Sequence, residues 1–269
     1  MNISELTSNY NINDSVIKII DDIKIISGKD VDIQLLDNLQ VDGTTKIARK
    51  KMEKHIIKIN RSRTMLASHI IVHECGHIKR MMEATPSERV IPASTTKNIQ
   101  IISEQLKSEL QKYPPQMREK AIQIFSNGLI MQLTNLSVDF RIEEWIYSNI
   151  RPIREEQKKY LLSDVNKILQ ALSRKTESST PPTVFINSGA ITYAYLTKTE
   201  HIHGIDFESK YKKFPRIVSL GSKLLEEIDP NDSGFVGDIS LVKRWGKILN
   251  MNDWFEWVDF ENVPSSYYE

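Results

Sequence analysis

Cysteine is almost missing from this chain: Cys75 is the single one in 269 residues. A disulfide within the chain is therefore excluded, and a reducing, cytoplasmic setting is expected. Long apolar runs are missing too. Nothing approaches the roughly 18 residues that a membrane helix needs, so no membrane partner is expected. Charge of either sign is not in excess, with 36 Lys and Arg against 35 Asp and Glu, a net of +1. No global field favours nucleic acid or an anionic surface, and the basic runs Lys46 to Lys54 and Lys210 to Lys213 read as solvated faces. Met1 to Tyr10 has neither a basic region nor an apolar core, so no signal peptide is read there. There is no internal repeat. What is plentiful is Ile, Lys and Asn, a usage associated with AT-rich bacterial or phage genomes.

Histidine is scarce at 6 residues, yet two of them stand in one pentapeptide, His73-Glu74-Cys75-Gly76-His77. A shuffle of this composition yields such an H-E-x-x-H roughly once in a hundred. On a helix, His73 and His77 lie one turn apart, about 6 Å in rise and about 40° in rotation, so both imidazoles can bind one zinc ion from one face. Glu74 sits beside them as the carboxylate that takes a proton from water activated by the metal, without being a ligand itself. The surrounding Thr64 to Met82 is apolar nearly all round, which reads as a buried helix. Buried histidines need partners. Upstream, Lys54 to Asn60 alternates with period two and reads as a strand. Arg61 to Thr64 follows as a polar turn, with Ser62 or Thr64 as the expected N-cap. Asp14 to Ile26 reads as a helix and Val31 to Leu36 as a first strand.

A catalytic zinc needs a third protein ligand and one open position. Position 83 is Glu, and no histidine follows His77 until His201, so the ligand must come from elsewhere. On the helical pattern Leu129 to Ile146, two polar stripes interrupt apolar positions. Thr134, Ser137, Arg141 and Glu144 read as a solvated face. Asn135, Asp139 and Glu143, at i, i+4 and i+8, fall on nearly the opposite side and so read as interior, where carboxylates need a cation or strong donors. Asp139 is the preferred metal ligand, with Glu143 orienting a histidine; the reverse assignment stays open.

His73-Glu-Cys-Gly-His77 resembles the HExGH of ImmA/IrrE-type peptidases, as does the strand-then-helix approach to it. Asn135-Leu-Ser-Val-Asp-Phe-Arg-Ile-Glu143 is similar to a segment of bacterial metallopeptidase-like proteins associated with von Willebrand A domains. Together the resemblance covers residues 54–146. It implies a zincin scaffold of gluzincin type, in which a second helix supplies the third ligand and an acid one turn away supports a zinc histidine. In ImmA/IrrE-type proteins the third ligand stands much closer to the motif than the 61 residues between His77 and Asp139. In thermolysin-like enzymes a downstream His or Tyr stabilises the oxyanion, and a residue of that kind is looked for here. His203 is the chosen candidate, with His201, Tyr193 and Tyr195 beside it.

Other positions carry milder expectations. His69, one turn before His73, reads first as a packed or exposed histidine and second as a cleft or ligand-bonding one. Cys75 points away from His73 and reads as a buried filler, and Gly76 as a point of close helix approach. Ala84 to Lys97 reads as a loop, either connector or lid. Helical patterns cover 98–112, 116–149, 152–174, 184–197, 215–228 and 238–250, His201 and His203 fall in a loop, and an aromatic tail closes the chain. The expected fold class is α+β, mainly helical: a small zincin-like sheet, the active-site helix, then a helical C-terminal region. Residues 1–175 are expected as a metallopeptidase domain and 176–269 as a helical subdomain, joined by a linker at Thr176 to Pro182. The expected function is a zinc-dependent peptidase acting on a peptide or protein. The alternative is a non-catalytic regulatory or interaction protein with a structural metal.

Overall fold

The computed structural model describes residues 12–263; Met1 to Tyr10, and Tyr267 and Tyr268 of the aromatic tail, lie outside the described residues. Helix α1, Asp14–Ser27, starts where the Asn13 side chain accepts the Ser15 N–H at 2.9 Å, and it ends at Gly28. Its Val16, Ile20 and Ile23 are buried. Strands β1, Asp30–Leu36, and β3, Lys54–Asn60, share one alternating pattern of burial, which turns Val31, Ile33 and Leu35 to the core together with His55, Ile57 and Ile59. The two pair in parallel, Val31 opposite His55.

Between them in sequence lies β2, Gly43–Lys46, antiparallel to β3 with Gly43 opposite Ile59. The order β1-β3-β2 makes the strand that leads into the H-E-x-x-H segment the centre of the sheet and β2 an edge. Sequence reading missed β2, because Gly-Thr-Thr-Lys has no apolar alternation to announce a strand. A 3-10 turn, Arg61–Leu66, then leads into α2, Ala67–Glu83. The turn is capped by Asn60, whose side chain accepts the Ser62 N–H at 3.0 Å, and α2 itself has no side-chain cap, neither the expected Ser62 nor Thr64.

The stretch expected as a loop, either connector or lid, holds a 3-10 turn and a strand. Thr85 and Glu88 bond reciprocally around a 3-10 turn at Pro86–Glu88, and β4, Val90–Ala93, pairs with β5, Glu256–Asp259. The rest is helical: α3 Thr96–Leu110, α4 Pro115–Asn149, α5 Arg154–Ala171, α6 Arg174–Ser179, α7 Pro182–His203, α8 Glu208–Tyr211, α9 Pro215–Glu226 and α10 Gly234–Ile248. The expected linker is partly α6, started by Ser173, whose hydroxyl accepts the Thr176 N–H. The chain is thus mainly helical with a small mixed sheet. Among the described residues no helix is long and apolar enough to cross a membrane.

The residues fall into two compact units that follow no single cut in the sequence. Among the described residues, one holds those up to Val90, Arg141–Leu162 and those from Asp259 on; the other holds Ile91–Phe140 and Ser163–Val258. The first contains α1, the three-stranded sheet, α2, the last turns of α4 and the first half of α5. The second buries Trp245 and Trp254, whose indole N–H groups donate to the Leu224 carbonyl at 2.8 Å and to Gln105 Oε1 at 2.6 Å. The buried polar parts of these rings are therefore satisfied.

Candidate metal centre

Helix α2 is buried on nearly every side, through Ala67 to Val72, Glu74 to Gly76, Ile78, Met81 and Met82. Partial exposure is kept by His73 and His77. His69, His73 and His77 follow at four-residue intervals on one face, with ring centroids 6.0 Å and 5.1 Å apart in succession. Close approach to α4 is allowed by Gly76. A Cβ there would stand 2.6 Å from Ile142 Cγ2, so no side chain fits unless Ile142 of α4 gives way.

That approach brings Glu143 onto the histidine face. Its carboxylate, with no exposed surface, accepts three donors. His73 Nδ1 lies 2.7 Å from Oε1. His69 Nε2 lies 3.1 Å and 3.0 Å from the two oxygens. Gln157 Nε2, from the second turn of α5, donates to Oε2 at 2.7 Å and to the Glu143 carbonyl at 2.7 Å. Burial alone would raise the Glu143 carboxyl, but His69 and His73 outweigh it and hold the group below the usual carboxylate range. An ionised carboxylate only accepts, so His73 donates to it from Nδ1.

Asp139 stands one turn before Glu143 on the same helix. One ligand atom each from His73, His77 and Asp139 lie within 4.8 Å of one another, and a second such set is His69, His73 and Glu143. The two sets share His73, and the hydrogen bonds tell them apart. In the second set each contact joins an N–H donor to a carboxylate that is already saturated, so it is a hydrogen-bonded junction. The first set is two imidazoles and a carboxylate, all partly exposed, a donor set that could hold a metal ion.

The Glu74 side chain is nearly buried, 8% exposed, on the sheet side of α2. Its Oε1 lies 3.1 Å from where a Gly43 Cβ would stand, so the glycine of the edge strand leaves the carboxylate its place. Cys75 is buried and joins neither set; burial pushes its thiol up, so it stays protonated.

The two-stripe reading of α4 needs correction. Asn135 of the supposed interior stripe is exposed, whereas Ser137 and Arg141 of the supposed solvated stripe are buried. Ser137 satisfies its hydroxyl on the Leu133 carbonyl at 2.6 Å. His69 is neither exposed nor merely packed, since it belongs to the Glu143 junction. Gln157 was not foreseen at all. The expected loop around His203 is the last turn of α7, ended by Gly204 at φ 69°. There His203 is buried, Nε2 bonding the Leu196 carbonyl at 3.2 Å and Nδ1 accepting the Ile205 N–H at 3.0 Å. With both ring nitrogens engaged in closing a helix, His203 is not offered to a substrate oxyanion, and among the described residues it joins neither set.

Compared with family models, with curated proteins and with solved structures, the chain matches none.

Proposed function

We propose that this protein is a zinc-dependent peptidase on a zincin-like scaffold. The observation that carries the reading is the double engagement of His73: its Nδ1 is held at 2.7 Å by the buried Glu143 carboxylate, and one ligand atom of the same residue lies within 4.8 Å of one from His77 and one from Asp139. A histidine bound through one nitrogen and oriented by a carboxylate through the other is how proteins hold catalytic zinc. His73, His77 and Asp139 would hold the ion, and Glu143 keeps His73 in the correct tautomer. When bound, zinc supplies Lewis acidity and brings the acidity of water near neutrality.

The remaining chemistry belongs to the chain. Glu74 is the general base, removing the proton of the attacking water and returning it to the leaving amine. It adjoins β2, an edge of the three-stranded sheet, whose outer backbone groups can pair with an extended peptide. This supports a peptide or protein substrate over a small amide.

Metal content and hydrolysis of a peptide library test the reading together. About one zinc per chain is expected in the wild type and in Glu74→Gln, with hydrolysis in Glu74→Gln falling by about 10²–10⁴-fold. His77→Ala and Asp139→Ala should lose the metal, and Glu143→Ala should bind it about 10–100-fold more weakly. A wild type that takes up no zinc refutes the proposal. Zinc binding with hydrolysis indifferent to Glu74→Gln would point instead to a regulatory protein with a structural metal.

A further inference from the structure

Glu143 would not hold His73 in place if it were itself free to rotate, and two side chains prevent that. His69 Nε2 sits within 3.1 Å of both carboxylate oxygens. Gln157 clamps the same residue at its side chain and its main chain through one amide, both at 2.7 Å. Neither His69 nor Gln157 has exposed surface. Each gives up something to stay: His69 Nδ1 and Gln157 Oε1 are buried without a hydrogen-bond partner. Such orphaned acceptors cost free energy, so the pair is not arranged for the benefit of its own hydrogen bonding.

His69 is anchored in turn. The first turn of α2 has no side-chain cap of its own, and the His69 N–H is taken by Glu156 Oε2 at 3.2 Å. The imidazole packs on Tyr160 with centroids 4.6 Å apart. Glu156, Gln157 and Tyr160 all belong to α5. That helix folds back from the end of α4, where Arg154 donates from Nε to the Tyr147 carbonyl at 2.6 Å. The first turns of α5 thus grip His69 and Glu143 together.

We propose that His69 and Gln157 are positioning residues for the metal centre, acting on the ion only through Glu143 and His73. The working unit on α2 is then His69-x-x-x-His73-Glu74-x-x-His77, in which the first histidine is not a ligand. This inference rests on the zinc reading above and adds a second tier of residues to it. It also accounts for the convergence of three donors on one fully buried carboxylate.

The test uses the full-length protein and zinc or cobalt alone. His69→Phe keeps the ring and removes the donor, His69→Gln restores a donor of similar reach, and Gln157→Met removes the other donor. Ile71→Val, a buried change elsewhere on α2, is the control for stability loss without loss of a donor. Zinc affinity is measured by chelator competition, the cobalt visible spectrum reports ligand geometry, and ¹⁵N NMR reports the His73 tautomer. Expected are a 10–100-fold weaker affinity in His69→Phe and Gln157→Met with an altered cobalt spectrum and a mixed His73 tautomer, recovery in His69→Gln, and no change in Ile71→Val. Wild-type affinity, spectrum and tautomer in folded His69→Phe and Gln157→Met overturn the inference while leaving the zinc site standing. An equal loss in Ile71→Val overturns it as well, since the effect would then be one of stability. Absence of zinc from the wild type overturns both readings at once. If His69→Phe does not fold, Gln157→Met decides alone.

Discussion

Replacing Gly76 by alanine adds one methyl group at the point where α2 and α4 meet, and the structure says what that methyl encounters. It would stand 2.6 Å from Ile142 Cγ2, 3.3 Å from Cγ1 and 3.4 Å from Cδ1. Carbon atoms in contact sit about 3.5–4.0 Å apart, so the helix surface must yield by about 1 Å. Ile142 is 1% exposed, so it is enclosed by its neighbours. Overpacking of this kind costs about 1–3 kcal/mol, and alanine in a helix returns about 1 kcal/mol relative to glycine. The net expectation is a loss of about 0–2 kcal/mol, a range too near zero to decide anything alone. The decisive quantity is the coupling. Ile142→Ala by itself should cost about 2–5 kcal/mol through its cavity. In the Gly76→Ala background the new methyl finds the vacated volume, so the double variant should be more stable than the sum of the single losses by about 1–2 kcal/mol. Urea denaturation of the four proteins, followed by far-UV circular dichroism, measures this. Zinc affinity should follow the same cycle, because Ile142 is next to Glu143 in α4. Losses that add within about 0.5 kcal/mol, or a Gly76→Ala protein stabilised by the full helix-propensity gain, would refute the argument that Gly76 exists to admit Ile142.

Two further outcomes concern the sheet that carries α2. His55 is fully buried in β3, its Nδ1 accepting the Ala48 N–H at 3.0 Å and its Nε2 without a partner. Burial, with help from Lys29, lowers its pKa to about 4. The unfolded chain takes up this proton near pH 6.5 and the folded chain only near pH 4, so stability is intact above pH 6.5 and falls between the two values. The loss approaches about 3 kcal/mol at the acid end, and a His55→Gln protein whose stability declines as steeply over that window would disprove it. The Lys29 ammonium donates to the carbonyls of Arg49 at 2.9 Å, Lys50 at 3.4 Å and Met52, closing the connection from β2 to β3. Lys29→Met should cost about 1–3 kcal/mol in thermal unfolding and leave most of the acid sensitivity of His55 in place, because burial is its larger cause.

How much of the site could be read from sequence depended on whether a residue's environment was local. His73, Glu74 and His77 were legible because one helical turn sets their relation whatever surrounds them. Asp139 and Glu143 were legible as acids on an apolar helix. The wheel that found them, however, assumes one environment along the whole of α4, and a helix spanning Pro115–Asn149 passes through several. That is why Asn135 proved exposed and Ser137 and Arg141 buried. Gln157 carried no signal: on α5 it follows Arg154, Glu155 and Glu156, where a glutamine reads as surface, and only the return of α5 against Glu143 buries it. The His203 expectation, by contrast, was avoidable. Gly204 directly after a histidine-bearing helical pattern is the ordinary mark of a helix end, and a histidine in the last turn is more often spent on closing that turn than on a substrate.

The resulting division has a physical logic. The two histidines proposed as ligands share one face of α2, so their spacing is written in one element and is open to inspection. The groups that orient those ligands must come from elsewhere, because a carboxylate that fixes a histidine's proton needs donors of its own on its far side. Glu143 therefore looks toward α2 through His73 and His69 and toward α5 through Gln157. The residues of such a centre that sequence leaves out should be sought behind the carboxylate, among buried amides with one unsatisfied oxygen.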